Sequence, residues 1–508
     1  MQNRRVAFLG IDIGTTAVKA VLVDIEGKIF AECDIEQTVL RSNIVWVEQD
    51  PVMWWENTLT AISNVVKLAQ NSKYQIEVIG IGLTGQMHSS VLLDEKFEIV
   101  RPAILWSDGR TTLQCQEISE KIGLQRLKRF LGNRPVEGLT APKLLWLKQN
   151  EPRNFERLKT LLLPKDYVRY RMTGIVVTDH SDASATLLYD IYRKSWSADV
   201  LDILELPHSI LPDIIESVES AGTLQENVAD MCGLQKGIPV ICGGADNPVG
   251  AVASGVFQQG LIQSSIGTSG TLLMPTDTLN VDKELNLHNF VHCKEDWWYQ
   301  MGVILSAGDS LKWLRNILYG EKSKTSYDSM IKEAESILPG SDGLIFLPHL
   351  VGERTPHNDS NARGVFIGLH AQHTRAHLVR AVMEGVCFAL RDSLEIAKEQ
   401  NHSFTEIRAV GSGSLSKLWR QIQADVFNLP VTVVNQFAGP AYGAAILAAV
   451  GQKSFSSINE VVELWTNFET SSEPNSDVVS NYDKYYSVYR NIYPSVKASF
   501  QEINSLTN

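Results

Sequence analysis

A carboxylate interrupts the first apolar run of the chain just before a glycine-containing turn. Asp12 follows the run at residues 6–11 and stands in Gly10-Ile-Asp-Ile-Gly-Thr15-Thr16. Such a turn offers backbone N–H groups and two hydroxyls, from Thr15 and Thr16, to an anion such as phosphate. A carboxylate beside phosphates requires a divalent cation between them. The alternative is an ordinary β-hairpin, although an unpaired acid at the end of a buried strand is costly.

A second carboxylate follows the apolar strand predicted over residues 238–242, in Gly243-Gly244-Ala245-Asp246-Asn247. The two glycines allow the backbone to turn sharply and present Asp246 and Asn247 to solvent or ligand. An aspartate can accept a hydroxyl proton, and an asparagine can orient a polyol through hydrogen bonds. The alternative is an Asx-type cap on a helix that starts near Pro248. The sequence leaves both interpretations open.

Three weaker motifs also follow predicted strands. Gln86, Met87 and His88 form a loop suited to recognising a polyol, although the histidine of such a loop is often only hydrogen-bonded within the protein. Gly267-Thr268-Ser269-Gly270 repeats the first hairpin tip, and two such tips facing each other would clamp a triphosphate. Gly411-Ser412-Gly413-Ser414 opens a predicted helix, whose N-terminal amides attract phosphate. Taken alone, both glycine-rich segments are common turns.

The remaining polar residues give no metal-site pattern. Asp179, Asp182 and Asp190 are interpreted as solvated or helix-capping acids. The histidines are too dispersed for a metal site, and no HExxH motif is present.

The elements that must position these residues form a mixed α/β pattern. The chain opens with strands over residues 6–11, 18–24 and 29–35, a helix over 51–70 and a strand over 76–83. A second strand–turn–strand occupies residues 261–274, and a βαβ unit covers 407–434. The recurrence predicts an internal duplication with two domains, 1–255 and 256–508, because residues 251–260 are small and glycine-rich. A helix of small residues over 440–450 and an aromatic-rich helix over 482–493 complete the prediction.

Composition narrows the functional class. The 508 residues carry a formal net charge of -12, which disfavours a nucleic-acid or acidic-membrane partner. Six cysteines without a CxxC pair fit a reducing compartment, and no run approaches 18 apolar residues. We therefore expect a cytoplasmic protein with small-molecule partners. A homodimer is compatible with the sequence, which does not specify an oligomeric state.

These motifs, in this order, resemble the FGGY carbohydrate kinase family over essentially the whole chain. Two long segments resemble that family's own signatures: Gly-Leu-Thr-Ala-Pro-Lys-Leu-Leu-Trp-Leu-Lys-Gln-Asn at 138–150 and Gly-Val-Phe-Ile-Gly-Leu at 364–369, continuing to 385. Within the family, the resemblance is closest to the branch that phosphorylates D-xylulose. It is carried by residues 86–88, 101–110, 164–167 and 352–356.

The resemblance implies two actin-like, ribonuclease-H-like ATPase domains with an interdomain cleft. Sugar would bind mainly to the first domain and ATP to the second. Gln86, Met87, His88, Asp246 and Asn247 fall at sugar-binding positions, and Asp246 also falls on the proton acceptor. Asp12 falls near Mg²⁺ and the phosphates. The positions expected to contact the nucleotide are Thr15, Thr16, Gly267, Thr268, Gly411, Ser412 and Gly413. Ser89 and Ser412 stand where many members have glycine.

The resemblance implies ATP- and Mg²⁺-dependent phosphorylation of D-xylulose to D-xylulose 5-phosphate. One alternative keeps the chemistry and changes the sugar to ribulose, gluconate, glycerol or another polyol. Another is a non-catalytic, actin-like ATP-binding protein, which has no need of Asp246 in addition to Asp12. A nuclease of the ribonuclease H type needs clustered carboxylates and a basic surface, which the acidic balance disfavours.

Overall fold

The chain divides into two units by its internal contacts. The computed structural model describes residues 3–43, 45–71, 74–321, 326–434 and 439–507. The first unit combines Met1–Phe257 with Phe290–Tyr299 and Gln436–Thr466, and the second combines Gln258–Asn289, Gln300–Asn435 and Asn467–Asn508. The main segment of the first unit ends close to residue 255, and two later segments pack with that unit.

Short strands and helices alternate in the part of the chain before residue 258. Its strands are β1 (Asn3–Ile13), β2 (Ala17–Asp24), β3 (Ile29–Glu36), β4 (Glu48–Gln49), β5 (Tyr74–Gly85), β6 (Val91–Leu93), β7 (Ala103–Ile104), β8 (Thr160–Leu162), β9 (Val177–Asp179), β10 (Tyr189–Asp190), β11 (Ser195–Trp196), β12 (Asp213–Ile215), β13 (Ser220–Thr223), β14 (Pro239–Ile241) and β15 (Gly244–Ala245). Its α-helices are α1 (Pro51–Gln70), α2 (Thr112–Ile122), α3 (Leu124–Arg126), α4 (Thr140–Asn150), α5 (Pro152–Arg157), α6 (Pro164–Thr173), α7 (His180–Ser184), α8 (Ala198–Leu204), α9 (Glu226–Cys232) and α10 (Asp246–Ala253).

The rest of the chain repeats this mixture with longer helices. Its strands are β16 (Leu261–Ile266), β17 (Gly270–Thr276), β18 (His288–Val291), β19 (Trp298–Ile304), β20 (Ile345–Leu347), β21 (Val365–Ile367), β22 (Glu406–Val410), β23 (Val431–Val434) and β24 (Phe468–Ser472). Its α-helices are α11 (Gly308–Tyr319), α12 (Tyr327–Ala334), α13 (Arg375–Glu399), α14 (Lys417–Phe427), α15 (Pro440–Gly451), α16 (Ile458–Trp465) and α17 (Ser476–Thr507).

The central strands of the first sheet bring the two candidate carboxylates to one edge. The sheet has the order β13-β14-β5-β1-β2-β3, and β15 also pairs with β5. Strands β1 and β5 are parallel, with Asp12 opposite Thr84. Strand β15 is parallel to β5 as well, with Gly244 opposite the same Thr84. Hydrogen-bonded strands lie about 4.8 Å apart. Asp12 and Gly244 are therefore each about one strand spacing from Thr84, on its two sides.

The side chains of β1 alternate between two helical layers, as a pleated strand requires. Leu9 and Ile11 belong to the cluster that includes Trp54 of α1, whereas Phe8 belongs to the cluster that includes α15. Helix α15 lies directly against the sheet backbone. A Cβ on Gly10 would lie 1.9 Å from the Ala441 carbonyl oxygen. Only small residues permit this approach.

The second sheet repeats the topology of the first, which explains the recurring sequence pattern. Its order is β18-β19-β17-β16-β22-β23-β24. Strands β16 and β17 form an antiparallel hairpin, and β16 is parallel to β22, which is parallel to β23. Strands β1, β2, β5 and β14 have the same relationships in the first sheet. The predicted duplication and the mixed α/β class are therefore confirmed.

Most predicted elements appear within a few residues of their expected bounds, with two differences near candidate site residues. The helix after Gly411 begins only at Lys417, because a 3₁₀ turn over Ser412–Leu415 precedes it. Asp246 is not a helix cap: Ala245 occupies that position, and Asp246 lies in the first turn of α10. Among the described residues, we find no helix with the length and apolar character needed to span a membrane.

Candidate active site

The Asp246 turn lies directly beside the end of β5. Thr84 Oγ1 donates a hydrogen bond to the Gly244 carbonyl at 2.8 Å. At Gly243 the backbone adopts φ +78°, and a Cβ there would lie 1.8 Å from the Leu83 carbonyl oxygen. Glycine is therefore required both by the left-handed conformation and by the close approach. The predicted sharp turn after strand 238–242 is confirmed.

Burial perturbs both candidate carboxylates at this edge of the sheet. Burial, followed by the charges of Asp12 and Asp182, raises the pKa of Asp246 well above its usual value. Burial also raises the pKa of Asp12 to about 7, although Lys19 partly opposes this. Strongly perturbed carboxylates are characteristic of functional sites, since neutral side chains would be more stable there. The structure thus brings Asp12 and Asp246 to the same edge of the sheet.

Met87 and Asn247 lie beside the Asp246 carboxylate. Asn247 Nδ2 is 3.1 Å from Asp246 Oδ1 and 3.1 Å from the Met87 sulfur. The Tyr299 hydroxyl lies 3.8 Å from the same sulfur. Burial and the nearby Asp246 raise the pKa of the Tyr299 phenol. Sequence patterns do not single out Tyr299, because it follows two tryptophans in a stretch typical of packing.

His88 is held in a defined position by the first family-like signature. Its backbone adopts φ +68°, and its carbonyl accepts hydrogen bonds from Lys143 Nζ at 2.9 Å and Thr140 Oγ1 at 3.0 Å. Its Nδ1 lies 2.7 Å from the Ala185 carbonyl oxygen. Because a carbonyl only accepts, Nδ1 carries the proton, and Nε2 is the acceptor in the neutral ring.

Gln86 and Thr15 hydrogen-bond to other protein groups. Gln86 Oε1 accepts from Thr15 Oγ1 and Ser89 Oγ, both at 3.1 Å, and Gln86 Nε2 donates to Gln49 at 3.1 Å. The Trp106 indole also donates to Thr15 Oγ1, at 2.9 Å. Ser89 is fully buried, so its side chain joins this network instead of projecting from the loop. Trp106 is 40% exposed and was not singled out in the sequence.

Two acids interpreted as solvated lie instead in a buried ionic cluster. Lys165 Nζ is 2.6 Å from Asp166 and 2.8 Å from both Asp179 and Asp182. Burial disfavours the charged ammonium, but the three carboxylates outweigh it and raise the pKa of Lys165 well above its usual value. The solvated interpretation was wrong because the partner of both acids, Lys165, lies well before them in the chain. Nothing in the sequence around Lys165 indicates that this lysine is buried. The capping interpretation holds for Asp179, which accepts from the N–H of Ser181.

Candidate nucleotide residues meet in the second unit at a cavity of about 930 Å³. Gly267, Thr268, Ser412 and Gly413 all line it, whereas Gly411 does not. Further lining comes from the positively charged Lys312, Arg315 and Lys332, the acidic Asp309, Asp328 and Glu335, and the apolar Leu415 and Trp419. Such a mixed lining suits a ligand that carries both an aromatic base and negative charge.

The turn at Gly267 is fixed to the start of α11. The Gly267 carbonyl accepts from the Gly308 N–H at 2.8 Å, and the Thr268 carbonyl accepts from the N–H groups of Ala307 and Asp309. These bonds hold the turn rigidly at the cavity wall. Thr15 and Thr16 belong to the first unit, and Gly267 and Thr268 to the second.

Asp12 is the candidate for holding a divalent cation. Its Oδ1 is buried and has no hydrogen-bond partner in the part of the chain that the structure describes. Within those same residues, no three His, Cys, Asp or Glu side chains are grouped as metal ligands. Mg²⁺ characteristically takes one or two carboxylates and completes its shell with phosphate oxygens and water. A single orphaned carboxylate oxygen fits that chemistry.

Comparison with known proteins identifies the family. Models of the FGGY family of carbohydrate kinases match residues 7–253 (N-terminal domain) and 262–452 (C-terminal domain). A xylulose kinase of Bacillus subtilis (strain 168) is 40% identical over 489 residues, covering 96% of this chain and 97% of that protein.

Solved structures agree with this relationship. A "xyloylose kinase" from Brucella ovis superposes with a TM-score of 0.90 at 35% identity, covering 97% of this chain and 99% of that one. A gluconate kinase from Lactobacillus acidophilus superposes with a TM-score of 0.93 at 25% identity, covering 98% and 100%. These neighbours have the actin-like ATPase fold, so the expected fold class is confirmed. The chain belongs to the FGGY family of carbohydrate kinases.

Proposed function

We propose that the protein transfers the γ-phosphoryl group of ATP to D-xylulose, giving D-xylulose 5-phosphate and ADP. The observation that carries this proposal is the grouping of Asp246, Asn247 and Met87 at the edge of the first sheet, with Asp12 on the same edge. The 40% identity to a xylulose kinase over nearly the whole chain supports D-xylulose as the sugar. Sugar binding is proposed for residues 1–255 and ATP binding mainly for residues 256–508.

In this proposal Asp246 accepts the proton of the attacking hydroxyl. A carboxylate beside the polyol-orienting amide of Asn247 is placed to take a hydroxyl proton as a general base. Phosphoryl transfer passes through a loose transition state, so placing the hydroxyl in line matters more than early proton removal. Asn247, Met87 and His88 would orient the ketose, and Gln86 would support them through its bonds to Ser89 and Thr15.

ATP and Mg²⁺ are the proposed cofactors. The cavity lined by Gly267, Thr268, Ser412 and Gly413 supports nucleotide binding by its size and its lysine and arginine side chains. Gly411 would contribute indirectly, because it fixes the turn against Ile266. Mg²⁺ held through Asp12 would neutralise charge on the phosphates.

The test is ADP release with Mg·ATP across ketoses, polyols and aldonates at equal concentration. We expect D-xylulose to give the highest kcat/KM. A gluconate preference would instead follow the structural similarity to a gluconate kinase, although residues 86–90 carry no cation to pair with its carboxylate. If another sugar leads, the kinase chemistry stands and D-xylulose is wrong. If no sugar stimulates ADP release, the proposal fails.

The role of Asp246 has its own test. Asp246→Asn should lower kcat by about 10²–10⁴-fold, because proton acceptance is lost while the hydrogen-bonding oxygen remains. Sugar binding, measured by calorimetry, should be largely retained. Asp190→Asn is the matched control, since Asp190 is a buried acid of the same unit whose Oδ1 only accepts backbone N–H groups. Near-normal turnover of Asp246→Asn would remove this residue from the base role.

A further inference from the structure

The backbone that carries Asp246 is fixed at three points by buried side chains. Arg169 Nη1 donates to the Cys242 carbonyl at 2.7 Å, and Thr84 Oγ1 donates to the Gly244 carbonyl at 2.8 Å. The Ala245 N–H donates to Ser181 Oγ at 2.9 Å. Ala245 is the residue immediately before Asp246, so its amide sets where the first turn of α10 begins.

Ser181 connects this amide to the buried ionic cluster. Its hydroxyl donates to Asp179 Oδ2 at 2.5 Å, and Ser217 Oγ donates to the same oxygen at 3.1 Å. The other carboxylate oxygen of Asp179 lies 2.8 Å from Lys165 Nζ. Because the Ser181 proton is committed to Asp179, a lone pair of Oγ is oriented towards the Ala245 N–H.

Arg169 connects a second anchor to the same cluster. Its Nη1 lies 2.9 Å from Asp166 Oδ1, which in turn lies 2.6 Å from Lys165 Nζ. Thr178 Oγ1 donates to the second oxygen of Asp166 at 2.7 Å. The Cys242 carbonyl and the Ala245 amide are thus both held by side chains that bond to carboxylates paired with Lys165.

A buried ionic cluster of this kind adds little net free energy to the stability of a fold. Buried ion pairs pay a desolvation cost that often equals or exceeds their attraction, and apolar replacements of similar volume are frequently at least as stable. One bond from Arg169 and one bond to Ser181 connect this cluster to the backbone just before Asp246. Packing leaves this turn little room to relax, since a Cβ on Gly244 would meet Ser181 Oγ at 3.1 Å.

We propose that Ser181 is a positioning residue for Asp246, oriented by the Asp179–Lys165 pair. The inference rests on the proposed function, because it assigns a task to the cluster beneath the proposed base. Displacing a catalytic group by about 1 Å can cost about 10²-fold in rate. We therefore expect Ser181→Ala to lower kcat by about 10–100-fold while KM for the sugar changes by less than about threefold.

Two serines of the same unit provide matched controls. Ser184 lies on α7 with Ser181, is also buried, and bonds to the Ser181 carbonyl and the Val291 N–H. The Ser217 hydroxyl donates to Asp179 Oδ2 and does not bond to the Ala245 N–H, so Ser217→Ala removes only the bond to Asp179. Ser184→Ala and Ser217→Ala should lose stability comparable to Ser181→Ala but keep kcat within about threefold of the wild-type value. Replacing Lys165 itself would leave three buried carboxylates with Arg169, which contacts only Asp166 among them, as their nearest cation, and is expected to prevent folding.

Hydrogen–deuterium exchange of the peptide containing residues 243–247 tests whether Ser181 restrains the Asp246 turn, without relying on activity. Exchange should accelerate in Ser181→Ala and stay unchanged in both controls. If exchange accelerates but no sugar supports turnover by the wild-type protein, the proposed function fails, and with it the proposed role of Ser181 in catalysis. If wild-type turnover is robust and Ser181→Ala keeps both kcat and exchange rate, the positioning role is wrong. An equal loss of kcat in all three variants would also overturn it.

Discussion

Replacing Ser89 by glycine separates structural support from sugar recognition in the loop that carries Met87 and His88. Ser89 Oγ donates to Gln86 Oε1 at 3.1 Å and accepts from the Trp106 backbone N–H at 3.2 Å. Its side chain is 0% exposed. The hydroxyl is therefore expected to stabilise the loop and to make no direct contact with sugar.

The stability cost follows from these two bonds. A neutral hydrogen bond contributes about 1 kcal/mol net, and a buried donor left without an acceptor costs about 1–3 kcal/mol. Ser89→Ala should thus lower the free energy of unfolding by about 2–4 kcal/mol. Ser89→Gly should lower it by a further 0.4–1 kcal/mol or so, because glycine gives the unfolded chain more conformational freedom.

The assay combines urea unfolding with steady-state kinetics on D-xylulose and D-ribulose. Both variants should lose stability in the order Gly more than Ala, and both should keep the wild-type ratio of kcat/KM between the two sugars. A change in that ratio of more than about tenfold, equivalent to 1.4 kcal/mol, with no loss of stability would refute the reasoning. Such a result would mean that the Ser89 side chain faces the sugar.

Two further outcomes are expected. Lys143→Met removes the donor to the carbonyls of His88 and Gly138, which lie 2.9 and 2.8 Å from Nζ. KM for the sugar should rise by about tenfold or more, because His88 is then misplaced. An unchanged KM would contradict this prediction. Burial raises the pKa of Asp392 to about 7, and the Tyr486 hydroxyl donates to it at 2.7 Å. Because the folded pKa exceeds the unfolded value, wild-type stability falls as pH rises from about 4 through 7. Asp392→Asn lacks that loss, so its Tm relative to wild type should be higher at pH 8 than at pH 5; a difference independent of pH would contradict the assignment.

Local sequence patterns determined most of the secondary structure near the site. The apolar run before Asp12, the glycines before Asp246 and the helical spacing over 51–70 each act within about twenty residues. Strand β16 and helix α1 accordingly appear at the predicted bounds, Leu261–Ile266 and Pro51–Gln70. The family-like order of motifs also indicated the fold class, because members of one family share a fold.

Long-range packing decided what these motifs contact. Helix α15 begins 430 positions after Gly10, yet its Ala441 lies against that glycine. Nothing local distinguishes such a small-residue helix from one packed elsewhere. Lys165 likewise has the sequence character of a surface lysine, but α6, β9 and α7 place three carboxylates around its ammonium group.

The sequence by itself thus determined the local elements, the family and the two carboxylates most suited to phosphoryl transfer. Only the tertiary structure decided that Ser89 turns inward, that Tyr299 joins the sugar-loop residues and that buried ions hold the Asp246 turn. The physical reason is that burial and charge pairing depend on residues far apart in the chain. Propensity and periodicity, by contrast, are set by near neighbours.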